Sequence, residues 1–491
     1  MSFKLSHKIY LLIKRVIWIV YGVYAVYWLL SINKLELKIS ILLCGVLIQL
    51  TLMSFLRHWY KFKQPYLLDW FRLATFIAII LDFMTSIKVL DSNSQLLVHN
   101  VVNVRTDNAL PALLVVLCGL LALKLGETLL LKNYRSNNNI KSNSSIIKTV
   151  SFRYKTVFYV FTIVLGVIQL YLLLNGVIGY GVYAEYSTSQ YSFLILIVTI
   201  SGPYVLAIYS IIKYYYKNTD KLFNVFFALY FFLQVIIGFV SGMKEEVISP
   251  IIIVLIPYLL GGYKIPRNLI ITSFVFVVLL YPINNNYRNN LNANSQINKL
   301  ESLQLAVGQT LEKGFVENFI SGSEDYQGRF SLFPIFMYSI ENEEKWVDYK
   351  YLDRYIYLPI AWIVPRVIVP NKPVSDIGSK LYEMTAGRNT SSITPSTFGW
   401  SYFEGGYILV FISFFIFSVF ISFLQKRIKI NLLFDLLLFI MILVSLLKVE
   451  SDIYFKISEI LQTILVGYLI YKVFFKIKTK VNVKKGSVSI S

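Results

Sequence analysis

Residues 284–302 read NNNYRNNLNANSQINKLES, residues 365–373 read PRVIVPNKP and residues 398–406 read FGWSYFEGG. They belong to a stretch from about Asn284 to Glu404 that is too polar, and too often broken by Pro and Gly, to lie in lipid. On either side of it the chain changes character. Runs such as IIIVLIPYLL (251–260) and LLFDLLLFIMILVSLL (432–447) leave little room for a polar face. A helix apolar all round is buried in a large core or in lipid, and repeated runs of this length favour lipid. The expectation is an all-α, polytopic membrane helix bundle with one large polar loop late in the chain. A loop of that size suggests chemistry on one side of the membrane.

Composition supports this. Of 491 residues, 56% are hydrophobic, 16% aromatic and only 15% charged, whereas a soluble domain is nearer a quarter charged. About 12 spans are expected, at roughly 16–33, 38–56, 71–90, 110–131, 156–176, 191–212, 222–243, 247–263, 268–284, 405–425, 430–448 and 453–474, each near the ~20 residues a bilayer needs. The net charge of +20 is not a nucleic-acid footprint, because alternate connections carry it. Lys4, Lys8, Lys14 and Arg15 precede the first span. Arg57, Lys61 and Lys63 follow the second, and a basic tail from Lys472 to Lys485 follows the last. The positive-inside rule then places both termini in the cytoplasm and the long loop outside.

The expected organisation is a membrane domain over 1–284 with about nine spans, an external loop over 285–404 with interfacial helices, and a membrane domain over 405–491 with about three spans and a basic cytoplasmic tail. The first apolar run is followed at once by a second, so it reads as a retained span. Asn133–Ser145 is a polar linker whose composition cannot support a core. Within the loop, Asn284–Asn294 reads as irregular, Lys299–Phe319 has helical spacing and Ser321–Arg329 reads as a turn. Cys44 and Cys118 give no disulfide framework or metal spacing. His7, His58 and His99 are scattered, and none is paired with a carboxylate in sequence.

Charged residues at membrane depth are functional candidates by default. Three clusters stand out. Ser241-Gly242-Met243-Lys244-Glu245-Glu246 joins two spans; Lys244 suits a phosphate contact and Glu245 or Glu246 a base, unless this is a plain hairpin with charges reaching water. Gly238 and Gly242 permit close helix approach or a local break. Pro365–Pro373 holds Arg366 and Lys372 on a stiff backbone, where an Arg fork and a Lys point charge suit one anion; the plainer reading is contact with lipid headgroups. Trp400 and Tyr402 beside Glu404 suit sugar binding, or else form an aromatic belt. Arg288, Arg329, Arg354 and Arg388 are further loop cations. Asp82, Lys88 and Asp435 lie within spans, and Lys448, Glu450, Asp452, Lys456 and Glu459 straddle the junction of the last two, where structural pairs are expected. No P-loop, G-x-G-x-x-G, H-E-x-x-H or G-x-S-x-G pattern is present.

The order and placement of Ser241–Glu246, Pro365–Pro373 and Gly399–Gly406 resemble those of the Wzy-type O-antigen and exopolysaccharide repeat-unit polymerases. Many members have Arg where this chain has Lys244, and Gly-Glu where it has Gly399-Trp400. The resemblance implies a bacterial inner-membrane glycosyltransferase without cofactor or metal. Its substrate would be a polyprenyl-diphosphate-linked oligosaccharide, lengthened at the outer membrane face with a chain-length regulator and a flippase as companions. It implies proton-accepting roles for Glu245, Glu246 or Glu404, and diphosphate or sugar contacts for Lys244, Arg288, Arg329, Arg366, Lys372, Arg388, Trp400 and Tyr402. A lipid-linked oligosaccharide flippase and an O-antigen-ligase-like enzyme are the alternatives. The long loop and the absence of an evident internal repeat weigh against a carrier.

Overall fold

The computed structural model describes residues 6–62, 65–93, 95–98, 102–131, 149–179, 192–264, 282–291, 299–314, 332–343, 377–386, 393–428 and 432–478, with single residues 275, 280, 317, 318 and 320. The chain is mostly helical. Among the described residues, nine helices are long and apolar enough to cross a membrane: His7–Ser31, Leu35–Lys61, Leu67–Ser92, Thr106–Leu131, Lys155–Leu174, Leu194–Tyr215, Lys221–Val240, Ser396–Arg427 and Ile453–Phe474. Two expected spans appear as shorter apolar helices, Glu246–Leu260 and Leu433–Leu447. The expected span over 268–284 falls almost wholly outside the described residues.

In chain order the helices are α1 (His7–Ser31), α2 (Leu35–Leu50), α3 (Leu52–Phe62), α4 (Leu67–Thr75), α5 (Leu81–Ser92), α6 (Ala109–Leu131), α7 (Lys155–Leu174), α8 (Ser192–Ser210), α9 (Lys221–Val240), α10 (Lys244–Leu260), α11 (282–291), α12 (Lys299–Glu312), α13 (Phe333–Glu341), α14 (Ile377–Ala386), α15 (Ser396–Arg427), α16 (Leu433–Leu447) and α17 (Ile453–Phe474). Side chains set several of their starts. Ser6 accepts from Ile9 N, Asp220 from Leu222 N and Asp452 from Phe455 N, each satisfying a backbone donor that the helix itself leaves unpaired. Asp82 does the same across the fold, its Oδ2 accepting from Phe333 N at 2.9 Å and fixing the start of α13.

Two short antiparallel ladders modify the all-helical expectation. β1 (Gln95–Val98) pairs with β2 (Val102–Arg105), in register Gln95↔Arg105. β3 (Thr149–Phe152) pairs with β4 (Phe475–Lys478), in register Thr149↔Lys478. The second ladder ties the residues following the Asn/Ser linker to the end of the last span. The β3–β4 ladder lies at one end of the bundle, with the His7–Tyr60 and Lys155–Asp220 contacts. The opposite end carries β1–β2, the Lys34 ammonium bonded to Leu90 O and Asn93 O, and α13, whose Glu341 accepts from Arg105 N at 3.1 Å. This second end, which carries α13 of the polar insertion, is the insertion end.

The core runs through α4, α6, α15 and α16. Ser418 on α15 donates to Leu123 O at 2.6 Å, and the Phe398 and Phe414 rings stack at 4.4 Å. Two boundaries differ from the sequence expectation. α15 begins at Ser396, not near Gly405, because Ser396–Glu404 packs as a buried helical segment against α13. Residues 282–291 are helical, not irregular, with Asn284 and Asn285 turned inside.

Candidate functional site

The first site group forms where α9 meets α10. After Val240 the chain turns at Gly242, whose φ of +71° suits glycine. Ser241 holds the turn: its Oγ donates to Gly238 O at 2.7 Å and accepts from Met243 N at 3.1 Å. Gly238 permits close approach, since a Cβ there would come within 2.2 Å of Glu246 O. α10 then starts at Lys244, with no side chain capping its first turn at Met243.

Two residues of the polar insertion sit on this turn. Tyr287 is buried and donates its hydroxyl to Val240 O at 3.0 Å. Lys299, 8% exposed, donates to Ile178 O at 2.8 Å. Burial pushes the Lys299 ammonium down to about 8, and the nearby Glu246 carboxylate pulls the other way. A desolvated cation beside a carboxylate is suited to an anion or a proton transfer. Neither Tyr287 nor Lys299 was legible as a site residue, because a lysine at a helix start has no pattern that distinguishes burial from solvation. Arg288 follows Tyr287 on α11 and is partly exposed. Lys244 and Glu245 lie in the first turn of α10, but their side chains are outside the described residues.

The second group lies at the start of α15, also at the insertion end. Thr397 Oγ1 donates to Val449 O and Ser451 O, each at 2.8 Å, and Thr394 bonds to Glu450 O. These contacts lock α15 to the α16–α17 junction. Trp400 Nε1 donates to Thr394 Oγ1 at 3.1 Å. Trp400, Tyr402 and Glu404 are buried at 4%, 9% and 3% exposure, so the two rings are packed inside the protein. α15 bends at Gly406, with φ +58°. The Glu343 carboxylate comes within 3.0 Å of where a Cβ on Gly406 would lie, and it interacts with the Tyr402 hydroxyl. At the junction, Lys448 pairs with Glu459 at 3.2 Å, Ser445 donates to Glu459 at 2.6 Å, and fully buried Lys456 donates to the Ser445 and Lys448 carbonyls. Of the charged residues expected to pair there, Lys448 and Glu459 do so. Arg329, Arg366, Lys372 and Arg388 lie outside the described residues, as does Arg354.

A third charged group, missed in the sequence, occupies the other end. His58 Nδ1 lies 2.8 Å from Asp69 Oδ2. Arg72 donates to Asp69 Oδ1 at 2.9 Å and to Glu127 Oε2 at 2.7 Å. All four side chains are buried. Scattered in sequence, His58 does pair with a carboxylate in the fold. The partners come from three helices, so no local spacing reveals them.

A family model described as a domain of unknown function (DUF8712) matches residues 144–483, more than half of the chain. The match covers the first two site groups and leaves out the helices that carry His58, Asp69, Arg72 and Glu127. No curated protein and no solved structure matches the chain significantly.

Proposed function

The chain belongs to the DUF8712 family, and we propose that it is a membrane glycosyltransferase that polymerises polyprenyl-diphosphate-linked oligosaccharide repeat units into a surface polysaccharide. The observation that carries the reading is the meeting of Lys299 and Tyr287 from the polar insertion with the Ser241–Glu246 turn. It gathers a cation, a carboxylate and the mouth of the bundle in one place. A hydroxyl of the acceptor unit attacks the anomeric carbon of the donor chain. The bond from that carbon to the lipid diphosphate breaks, and the diphosphate leaves with the electron pair. Lys299, Lys244 and the loop arginines, Arg366 first among them, stabilise the departing charge. A carboxylate, Glu246 or its neighbour Glu245, takes the hydroxyl proton; Glu404, near the kink of α15, is the other candidate. The lipid tails keep both substrates at the membrane face, so the protein orients only head groups. In this reading the insertion end faces the outside of the inner membrane.

The test is lengthening of lipid-linked repeat units by purified protein without nucleotide or added metal. Strict need for a nucleotide sugar, or no lengthening by folded protein, defeats the reading. One observation favours a second reading, transport of the lipid-linked unit: the buried His58–Asp69–Arg72–Glu127 group, since ionisable residues inside a bundle often mark a translocation path. Cells lacking a polymerase keep single units on the outer face, whereas cells lacking a flippase trap them on the cytoplasmic face.

A further inference from the structure

We propose that Gln169 and Gln234 are positioning residues, whose amide pair sets α7 against α9 and so builds the seat that presents Lys299 to the Ser241–Glu246 turn. What Lys299 does there rests on the polymerase reading; the seat rests on geometry. Thr162, Gly166, Gln169 and Leu173 fall three or four residues apart on α7, and Tyr230, Gln234, Ile237 and Ser241 do the same along α9 and its C-cap. Such spacing puts each set on one helix face. The two faces meet closely, since a Cβ on Gly166 would come within 2.6 Å of the Leu233 side chain. Gln169 and Gln234 are both buried. Gln234 Nε2 donates to Gln169 Oε1 at 2.8 Å, and Gln169 Nε2 donates to Val198 O of α8 at 3.0 Å. Gly202 of α8 leaves room for that amide, because a Cβ there would lie 2.1 Å from its Nε2. Three helices thus meet on one amide pair.

Apolar side chains in lipid gain little by choosing one neighbouring helix face over another, whereas a hydrogen bond between helices is directional. Its contribution to stability there is modest, so the pair acts chiefly on the rotation and spacing of α9 against α7. One helical turn further along both helices, this contact becomes the seat. Leu173 of α7 packs with Ile237 and Val240 of α9, and Ile178 and Leu303 pack against that cluster. Leu303 lies one turn after Lys299 on α12, and Lys299 donates to the carbonyl of the same Ile178 at 2.8 Å. Gly179 then passes so near the turn that a Cβ on it would lie 3.0 Å from Ser241 O. The α7–α9 spacing therefore sets how deeply Lys299 is buried beside Glu246. Among the described side chains, Glu246 of α10 is the charge that acts on Lys299. Tyr287 and Arg288 of α11, with Glu301 and Glu312 of α12, are the other titratable groups on the two insertion helices.

The test uses full-length protein in nanodiscs and reads Lys299 directly, as the rate at which acetic anhydride acetylates it, followed by mass spectrometry across pH. Only the neutral amine reacts, so the midpoint of the profile reports the ammonium. Wild type is expected to give about 8, where burial holds it. Gln234→Met and Gln169→Met keep the side-chain length and lose the amide. In each, the midpoint is expected to rise by about one pH unit toward the ordinary 10.5 as the seat loosens. Ser418→Ala removes a buried interhelical hydrogen bond on α15; it is the control and should leave the midpoint where wild type has it. An unchanged midpoint in both Met variants, a wild-type midpoint at the ordinary value, an equal rise in Ser418→Ala, or loss of the fold in both Met variants overturns the positioning role. The same preparations are assayed for lengthening of lipid-linked units, whose decline with pH should move with the Lys299 midpoint. Lengthening by wild type alongside unchanged midpoints in the Met variants removes the positioning role and leaves the polymerase reading. Raised midpoints in a protein whose wild type lengthens nothing keep the positioning role and remove that reading.

Discussion

The Arg72 guanidinium reaches Glu127 Oε2 at 2.7 Å, bonding α4 to α6 through two buried side chains. Its other arm holds Asp69. Removing this cation leaves two carboxylates in a low-dielectric interior, and breaking a buried pair from one side costs about 3–5 kcal/mol. Arg72→Met is expected to lower unfolding free energy in detergent by that order. Neutralising the carboxylates in the same chain, as Asp69→Asn and Glu127→Gln, should recover most of the loss. A triple variant as unstable as Arg72→Met would show that the guanidinium acts through packing.

The α9–α10 turn is tested at Gly238, where a Cβ would overlap Glu246 O at 2.2 Å. Gly238→Ala therefore forces α10 to move, and overpacking of this kind costs roughly 1–3 kcal/mol. Gly22→Ala, on α1 with nothing within 4 Å of its Cβ, is the control and should leave stability and polymer output unchanged. Normal output from Gly238→Ala would remove the turn geometry from the function.

Much of this architecture is legible because span length and apolarity are properties of contiguous residues. Nine helices reach spanning length near expected positions, among the described residues. What the sequence hides is whatever depends on a partner. Ser396–Glu404 looks like loop because it is polar and glycine-containing, and it becomes helix only against α13 and the α16–α17 junction. Asn284 and Asn285 look solvated because asparagine favours turns, and they are buried on α11, whose Tyr287 bonds to Val240 of the bundle. Gly238 and Gly242 were readable, since close approach and positive φ select glycine locally.

Lys299 gives the turn a pH dependence. Its ammonium is held down to about 8 by burial, against an ordinary value of 10.5. Between these values the unfolded chain holds more protons than the folded one, so stability from this group rises with pH across that window. Its functional charge moves the other way, present below about 8 and lost above. Binding of inorganic diphosphate, or chain elongation, should decline as pH passes from 7 to 9. Lys299→Arg stays charged throughout and should flatten the decline. A wild-type profile unchanged by Lys299→Arg would exclude this ammonium.

Orientation is tested with single cysteines in a Cys44→Ala, Cys118→Ala background. The alternation of basic connections puts Ser142 inside and Ser323 outside. An impermeant maleimide applied to intact spheroplasts should label Ser323→Cys and spare Ser142→Cys until the membrane is opened. The β3–β4 ladder sets Thr149 opposite Lys478, and a tag after Ser491 is expected to be protected along with Ser142→Cys. Labelling in the reverse pattern would place the insertion end in the cytoplasm, away from exported lipid-linked units.

Arg366 carries the last test. It stands between Pro365 and a second proline pair at Pro370 and Pro373, with Lys372 inside that pair. Proline fixes φ and biases the preceding residue toward extended backbone, so the sequence predicts a segment whose cations have little conformational freedom to lose on binding. A guanidinium grips two phosphate oxygens at once, whereas an ammonium offers a point charge. Arg366→Ala is expected to abolish long-chain polysaccharide while the protein still inserts, leaving single repeat units. Removing one donor aimed at developing charge typically slows an enzyme by about 100- to 1000-fold. Arg366→Lys should restore only short chains, since the charge returns without the fork. Polysaccharide of normal length distribution from Arg366→Ala cells, with the protein present at normal level, would remove Arg366 from the mechanism. It would then leave Lys299 and Lys244 at the turn as the cations to substitute next.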